Sequence, residues 1–279
     1  MSLIKFITVF DDEKQKLLYN DILSRYNISL YPPLYCSKDK HYIDYINADS
    51  ALYKKHSGED NEIIGPHIPV KVFQQAIKFA YDDGYTVVLI VCPSRKFFPH
   101  YYRNAQNAAK NFCRNKDVDL TTFRIKVIDS KAIGAGHLYL TLQLARLHNN
   151  DHCPSGIVID DSKNFISKTL ILSSSAEQFG FRKSELAAFR VFDGRLLTDL
   201  NVTESTDYVK FDMFAKACAK YIKNSKSKYL ISVGADCTFA GNVIGRIEKL
   251  LNFPPIATIQ YGINTTSILG TESFCLHIV

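Results

Sequence analysis

The first half of the sequence repeats one pattern four times: a short apolar run of β-forming residues stops at polar or chain-breaking residues. The runs cover residues 5–10, 27–31, 86–91 and 122–128, and they end at Asp11-Asp12, Pro32-Pro33, Cys92 to Lys96 and Asp129-Ser130. Amphipathic helical patterns lie between them, for example over residues 70–81 and 136–148. This alternation predicts a mostly parallel sheet flanked by helices, whose strands end together at an edge where ligands bind.

The pattern of predicted strands and helices changes near residue 150. Segment 149–156 is polar and contains Pro154 and Gly156, as linkers do. Shorter strand-like runs follow, including two that flank Asp193-Gly194, a dipeptide typical of hairpin turns. We therefore expect an α/β protein of two domains with a ligand cleft between them. The N-terminal domain covers residues 1–150, and the C-terminal α+β domain, with a mixed or antiparallel sheet, covers residues 151–279.

The composition supports a substantial core and argues against two classes of protein. Hydrophobic residues make up 46% of the 279 residues, and 18 Phe and 16 Tyr can fill a large interior. The net charge of +6 comes from Lys and Arg that are interspersed with Asp and Glu, so we expect a solvated surface and no nucleic-acid interface. No export signal and no membrane-length apolar stretch is visible, so we expect a cytoplasmic protein without membrane insertion.

The seven cysteines show neither a C-x-x-C pair nor a zinc-type spacing, so we expect free thiols in a reducing compartment and no metal. The sequence also contains no P-loop, no G-x-S-x-G and no G-x-G-x-x-G motif. The nearest approach to a dinucleotide fingerprint, Gly134-Ala135-Gly136, is too incomplete to count. We therefore expect no cofactor.

The loop after the third apolar run holds the strongest candidates for chemistry. Ser94 stands where a strand gives way to a helix, so its hydroxyl either caps that helix or helps to bind a carboxylate or phosphate. Arg95 adds positive charge beside it, and His67 and His100 lie near candidate loops. Cys92 precedes the same helix, but no partnered histidine is recognisable, so a core thiol is the better interpretation.

Several segments, taken in their order along the chain, resemble the DegV family. Residues 5–12, KFITVFDD, are similar to the family's first strand, which ends in Thr-Asp-Ser. Residues 26–55 resemble its Tyr-Gly-Ile, the strand into Pro-Leu and the following helix, and RIKVIDSK at 124–131 resembles its Val-Ile-Asp-Ser. VFDGRLL at 191–197 is similar to its Asp-Gly-Lys-Leu hairpin.

The resemblance implies lipid carriage and no catalysis. DegV-family proteins are two-domain α/β proteins that hold a long-chain fatty acid between their domains, and some bacterial members present its carboxylate to a fatty acid kinase. The implied ligand of this chain is a long-chain fatty acid or a similar lipid or small acid, and a fatty acid kinase is the implied protein partner. Burying an acyl chain at about 0.8 kcal/mol per methylene would supply the affinity.

The resemblance also nominates site residues and shows departures from the family's pattern. The family's Thr-Ser-x-Pro becomes Gly65-Pro66, its hydroxyl-rich loop is reduced to Ser94, and its C-terminal His-Thr-Gly-Pro-Gly has Ile268 at the histidine position. The ligand-binding residues that we expect are Ser94, Arg95, His100, His67, Arg182, Thr266, Ser267 and Gly270.

Two alternatives to lipid binding stay open. The chain could be an enzyme that uses Cys92 or Ser94 as a nucleophile, which would need a general base within hydrogen-bond reach. It could also be a divergent regulatory or structural protein that kept the fold and lost the ligand, as the reduced hydroxyl motifs suggest. A filled cavity between the domains would favour this last reading.

Overall fold

A computed structural model describes residues 3–9, 22–38, 40–44, 46, 49–58, 63–114, 119–162, 168–173, 187–192, 195–197, 207–225 and 227–279. Within them the elements follow in this order: β1 (Ile4–Val9), β2 (Ile28–Tyr31), β3 (Leu34–Ser37), β4 (Lys40–Ile43), α1 (Ser50–Gly58), β5 (Ile63–His67), α2 (Val70–Asp82), β6 (Val87–Cys92), α3 (Pro99–Cys113), β7 (Arg124–Asp129), α4 (Gly134–Asn149), α5 (Ser155–Asp161), β8 (Lys168–Ser173), β9 (Ala187–Phe192), β10 (Arg195–Leu197), α6 (Asp207–Ser225), β11 (Tyr229–Val233), α7 (Ala240–Leu251), β12 (Thr258–Gln260), α8 (Ile263–Leu269) and β13 (Ser273–Ile278).

The four apolar runs of the first half form one parallel sheet in the order β2-β1-β6-β7. Strand β6 is buried along its whole length, as expected for a central strand covered on both faces. Its alternate side chains divide between two cores: Val88 and Ile90 pack with α2 and α3, whereas Val87 and Leu89 pack with α4 and α5. The predicted sheet with helices on both faces is confirmed.

A small antiparallel sheet, with the order β4-β3-β5, follows the first two parallel strands. The sequence analysis did not predict these three strands. Their inner side is anchored by Tyr35, which is fully buried and packs with Tyr53 of α1 and Ile263 of α8. The small sheet therefore contacts the C-terminal part of the chain.

The second half forms a six-stranded sheet in the order β10-β9-β8-β13-β11-β12. All its pairs are antiparallel except β11 with β12. Helices α6 and α7 cover one face through a core that includes Phe214, Val243 and Ile247. The predicted C-terminal α+β architecture is confirmed, and so is the β9–β10 hairpin, although the turn residues Asp193 and Gly194 lie outside the described part.

Helix α4 brings the two sheets together. One of its faces lies on β1 and β6 through Leu140 and Leu144, and its first turn places Ala135 against Leu230 and Ile259 of the C-terminal sheet. The helix runs from the C-terminal edge of the parallel sheet back along its strands, so that a space can form between α4, the edge strand β2 and the second sheet. No helix in the described ranges combines the length and the apolar character that crossing a bilayer needs.

Candidate functional site

A cavity of about 400 Å³ lies between α4, the edge of the parallel sheet and the start of the C-terminal sheet. Its volume falls within the range of roughly 300–1,000 Å³ that is typical of small-molecule sites. The N-terminal half contributes most of its walls, and the C-terminal half closes one end. The lining residues are Thr8, Ile22, Leu23, Arg25, Tyr26, Ile28, Leu30, Ala135, Leu138, Tyr139, Thr141, Leu142, Gln143, Arg146, Leu230, Ile256, Ala257 and Ile259.

The lining is mostly aliphatic, and it includes two cations, Arg25 and Arg146. No aspartate or glutamate is among the lining residues that the structure describes. Two of the large hydrophobic side chains that the structure exposes, Ile22 at 38% and Ile256 at 49%, also line the cavity. Apolar side chains left exposed around a concave apolar space are typical of a binding site for an apolar ligand.

Buried polar groups form the floor of the cavity. The Nε2 atom of His137 lies 2.8 Å from Thr8 Oγ1, which also donates a hydrogen bond to the Val91 carbonyl at 2.9 Å. The Nδ1 atom of the same ring lies 3.1 Å from Ser130 Oγ. Thr141 Oγ1 donates to the His137 carbonyl at 3.2 Å. Thr8 and Thr141 are the two members of this group that line the cavity.

This network assigns the protonation state of His137. A neutral ring with its proton on Nε2 donates to Thr8 and accepts a hydrogen bond from Ser130, which satisfies both ring nitrogens. Complete burial lowers the pKa of His137 to about 3, because the imidazolium would lose its hydration. The floor therefore presents neutral hydroxyl groups and no charge at neutral pH.

A second buried histidine lies in the C-terminal sheet. The ring of His277 on β13 places Nδ1 3.0 Å from Thr169 Oγ1 and Nε2 2.7 Å from Ser232 Oγ. Desolvation lowers the pKa of His277 to about 3. A Cβ atom at Gly134, the first residue of α4, would lie 3.2 Å from Ser232 Oγ and 3.8 Å from His277 Cε1. The N-terminus of α4 therefore rests directly on this second network.

Ser94 is buried, at 1% exposure, and its Oγ atom has no hydrogen-bond partner. The Ser94 backbone N–H donates to the Ala132 carbonyl at 2.9 Å, and Ser130 Oγ lies 3.3 Å from the same carbonyl. Ser94 is therefore one carbonyl away from the His137 network, but it does not line the cavity. A buried hydroxyl without a partner is costly unless a ligand or water satisfies it.

The other candidates on the N-terminal half have partners of their own. Arg95 is exposed and places Nε 3.2 Å from a carboxylate oxygen of Asp129. The His100 ring accepts a hydrogen bond from the Arg103 guanidinium at 3.1 Å on the first turn of α3, and His67 lies 3.1 Å from the Gly65 carbonyl. None of these three side chains lines the cavity.

The C-terminal candidates lie on or beside α8. Thr266 is buried, and Ser267 donates a hydrogen bond to the Asn264 carbonyl at 2.6 Å. Gly270 ends the helix with φ +72°, a left-handed conformation that favours glycine, and its carbonyl accepts a hydrogen bond from Tyr261. Arg182 lies outside the described residues. None of the candidates from α8 or its C-terminal cap lines the cavity.

Cys92 is a core residue, fully buried among the side chains that pack on α2 and α3. Burial, and secondarily the charge of Asp129, raises the pKa of its thiol, so that the unreactive protonated form is favoured. In the part of the chain that the structure describes, no group of three or more His, Cys, Asp and Glu side chains could hold a metal ion.

Sequence reasoning missed Thr8, His137 and Thr141. One signal was present: Thr8 is a hydroxyl residue in the apolar end of strand β1, and its hydroxyl lies 2.8 Å from His137 on the helix that packs on this strand. The cavity itself had no sequence signal, because its walls come from segments separated by more than a hundred residues.

Structural comparison finds the same fold in several solved proteins. A stearic acid-binding protein from Eubacterium ventriosum matches with a TM-score of 0.78 and 14% identity over 100% of this chain and 98% of that one. A fatty acid-binding DegV family protein from Thermus thermophilus matches with a TM-score of 0.77 and 15% identity over 99% of both chains. DegV, a fatty acid binding protein from Bacillus subtilis, matches with a TM-score of 0.74 and 13% identity over 100% of this chain and 99% of that one.

Sequence comparison alone gives no such link, because no protein-family model and no curated protein matches the chain. The solved proteins cover essentially the whole chain, so both halves and their arrangement belong to one known fold. The predicted resemblance to the DegV family is thereby confirmed at the level of the fold. The identities are too low to transfer a function.

Proposed function

We propose that this protein binds a fatty acid, with the acyl chain in the cavity between α4, β2 and the C-terminal sheet. The observation that carries the proposal is the cavity itself: it measures about 400 Å³, and the described residues that line it are mainly aliphatic and include no carboxylate. Each methylene that leaves water for such a lining contributes about 0.8 kcal/mol. A dozen methylenes would therefore provide enough favourable free energy to exceed the cost of immobilising the ligand.

The proposal is supported by what similar proteins bind. The Eubacterium ventriosum protein is a stearic acid-binding protein, and the Thermus thermophilus protein binds fatty acid. These statements concern those proteins, and they make the same ligand class the natural first candidate for this chain. A ligand-free regulatory or structural role is less well supported, because the cavity is not filled by side chains.

An enzymatic function has weaker support than lipid binding. Cys92 is buried with a raised pKa, and Ser94 Oγ has no hydrogen-bond partner, so neither has the adjacent base that an activated nucleophile needs. Lipid carriage without catalysis is therefore part of the proposal. We also propose that the chain divides into its two domains near residue 150.

The binding experiment has two parts. The recombinant protein is extracted with organic solvent and the extract is analysed by mass spectrometry, and the delipidated protein is then titrated with fatty acids in a calorimeter. The proposal predicts a co-purified acyl chain or saturable binding. Absence of any acyl chain in the extract together with no heat of binding would refute it.

Ser94, which the sequence analysis expects to bind the ligand and which the structure places outside the cavity lining, is tested separately. If the unpartnered hydroxyl donates to the ligand, Ser94→Ala weakens binding by about 1–2 kcal/mol, and the exposed-site control Ser225→Ala leaves it unchanged. Unchanged affinity in Ser94→Ala would remove Ser94 from the site and leave the fatty acid proposal intact.

Presentation of the bound acid to a fatty acid kinase is the most specific part of the proposal. It predicts that a fatty acid kinase phosphorylates the acid faster when the acid is delivered by this protein than when it is free. The assay measures transfer of labelled phosphate from ATP to the acid. Equal rates with and without this protein would refute the kinase partnership and leave lipid binding untouched.

A further inference from the structure

The cavity is elongated along α4, and its two ends differ in chemistry. On α4 the lining begins at Ala135, which touches the C-terminal sheet, and ends at Arg146, so it spans 11 residues or about 16 Å at 1.5 Å per residue. Near the first end the lining is apolar, with Leu230, Ala257 and Ile259. The other end holds Arg146. Arg25 precedes Tyr26, whose carbonyl accepts a hydrogen bond from Asn149 at the end of α4, and both arginines are exposed, so this end meets solvent.

In the part of the chain that the structure describes, no carboxylate is paired with either arginine. Within the described ranges neither Arg25 nor Arg146 forms an ion pair, and the lining contains no carboxylate. Arg95, the cation that sequence reasoning placed near Ser94, is by contrast held by Asp129. Guanidinium groups bind carboxylates through paired, charge-assisted hydrogen bonds.

The rest of the lining is less suited to a carboxylate. The hydroxyls of Thr8 and Thr141 already donate to backbone carbonyls, and the imidazole behind them is neutral. A carboxylate placed there would be desolvated without a cation to balance it, which is costly. Ser94, the remaining unpartnered hydroxyl, lies outside the lining.

We propose that Arg25 and Arg146 form the carboxylate end of the site, and that the acyl chain runs from them along α4 to the C-terminal sheet. The inference rests on the proposed fatty acid binding and adds an orientation and a length to it. An extended chain advances about 1.2 Å per bond, so the 16 Å span holds a chain of about 12 to 14 carbons. The ligand is thus an anionic single-chain lipid whose head remains at the protein surface.

The test compares tetradecanoate with tetradecanol, which has the same chain and no charge. The double variant Arg25→Gln/Arg146→Gln is measured beside Arg114→Gln/Arg124→Gln, which removes the same charge from exposed positions off the cavity. We expect the cavity variant to bind tetradecanoate about fivefold more weakly and tetradecanol unchanged, and the control variant to bind both as the wild type does.

A second measurement needs no variant. Raising the salt from about 50 mM to about 500 mM should weaken binding of the acid to the wild type and leave binding of the alcohol unaffected. Among acids, affinity should rise from octanoate to tetradecanoate and then stop rising at octadecanoate, because the span of about 16 Å has no room for further methylenes.

Three outcomes would overturn the inference. The first is equal loss of acid and alcohol binding in the cavity variant. The second is an unchanged affinity of that variant for the acid, above all if Ser94→Ala weakens binding of the acid instead. The third is an affinity that does not depend on salt. In each case the wild type still binds acyl chains, so the proposed function stands. Failure of the wild type to bind either compound overturns both.

Discussion

Acidification should destabilise this protein through two buried imidazoles. His137 and His277 are fully buried, and desolvation lowers the pKa of each from 6.5 to about 3. Because the folded-state pKa is depressed, the stabilising contribution of each neutral ring is fully present above pH 6.5. It is lost as the pH falls toward the folded-state pKa, because the unfolded chain binds protons that the folded chain does not bind.

The magnitude follows from the interval between the two pKa values. At about pH 5 an unfolded histidine is almost fully protonated and a folded one is still neutral. This difference lowers the free energy of unfolding by about 2 kcal/mol per ring and by about 4 kcal/mol for both. This is a large part of the stability of a typical domain, about 5–15 kcal/mol. Both rings lie where α4 meets its two neighbours, so we expect the junction to loosen first.

Urea unfolding at about pH 7 and about pH 5 gives the two free energies of unfolding. His137→Gln and His277→Gln keep a hydrogen-bonding side chain but cannot take up a proton, so each variant should lose about 2 kcal/mol less than the wild type over this interval. His100→Gln, which replaces an exposed imidazole, should lose as much as the wild type. An identical loss in all four proteins would refute the assignment of neutral, buried rings.

Two further predictions concern the free energy of unfolding without ligand. Gly234→Ala should destabilise the folded protein by about 2–3 kcal/mol, because the new Cβ would lie 2.1 Å from the Thr271 carbonyl oxygen. Gly241→Ala, which has open space around it on α7, should stabilise the folded protein by about 0.5–1 kcal/mol. Equal effects of the two substitutions in urea unfolding would contradict this. Ser94→Ala should leave the ligand-free protein equally stable or more stable by up to about 1 kcal/mol, because it removes a buried hydroxyl that has no partner; marked destabilisation would show that the hydroxyl has an internal role.

The larger elements could be predicted because their burial produces recognisable local patterns of apolar residues. Strand β6 is an unbroken apolar run covered on both faces, and α2 begins at residue 70, where the predicted helical pattern over residues 70–81 begins. The β3–β5 sheet could not be found in this way. Strand β4 reads Lys-His-Tyr-Ile and is largely exposed, and β5 contains Gly65-Pro66, so neither shows the alternation of a half-buried strand.

Helix α8 illustrates a second limit. Its sequence, INTTSIL, is rich in β-branched and polar residues that do not favour a helix. It is held by tertiary contacts, including a hydrogen bond that the Tyr101 hydroxyl donates to the Asn264 side chain and the packing of Ile263 against Tyr35. Such contacts join residues that are far apart in the sequence, so local propensity cannot reveal them.

The candidate site was predicted only in part. The position of Ser94 at the end of a buried strand followed from the sequence, but the structure buries its hydroxyl without a partner and outside the cavity lining. The role of the neighbouring charge did not follow, because the pairing of β6 with β7 places Asp129 beside Arg95. The arginines that line the cavity are Arg25 and Arg146, which no motif connects.

The central claim is that an acyl chain occupies the cavity along α4, and one calorimetric comparison tests it most directly. Ala257 lines the apolar end, so Ala257→Phe should fill the space of several methylenes and weaken tetradecanoate binding by at least about tenfold. Ala51→Phe, on an exposed position of α1, should bind as the wild type does. If Ala257→Phe folds normally and binds tetradecanoate with the affinity of the wild type, the acyl chain does not lie in this cavity.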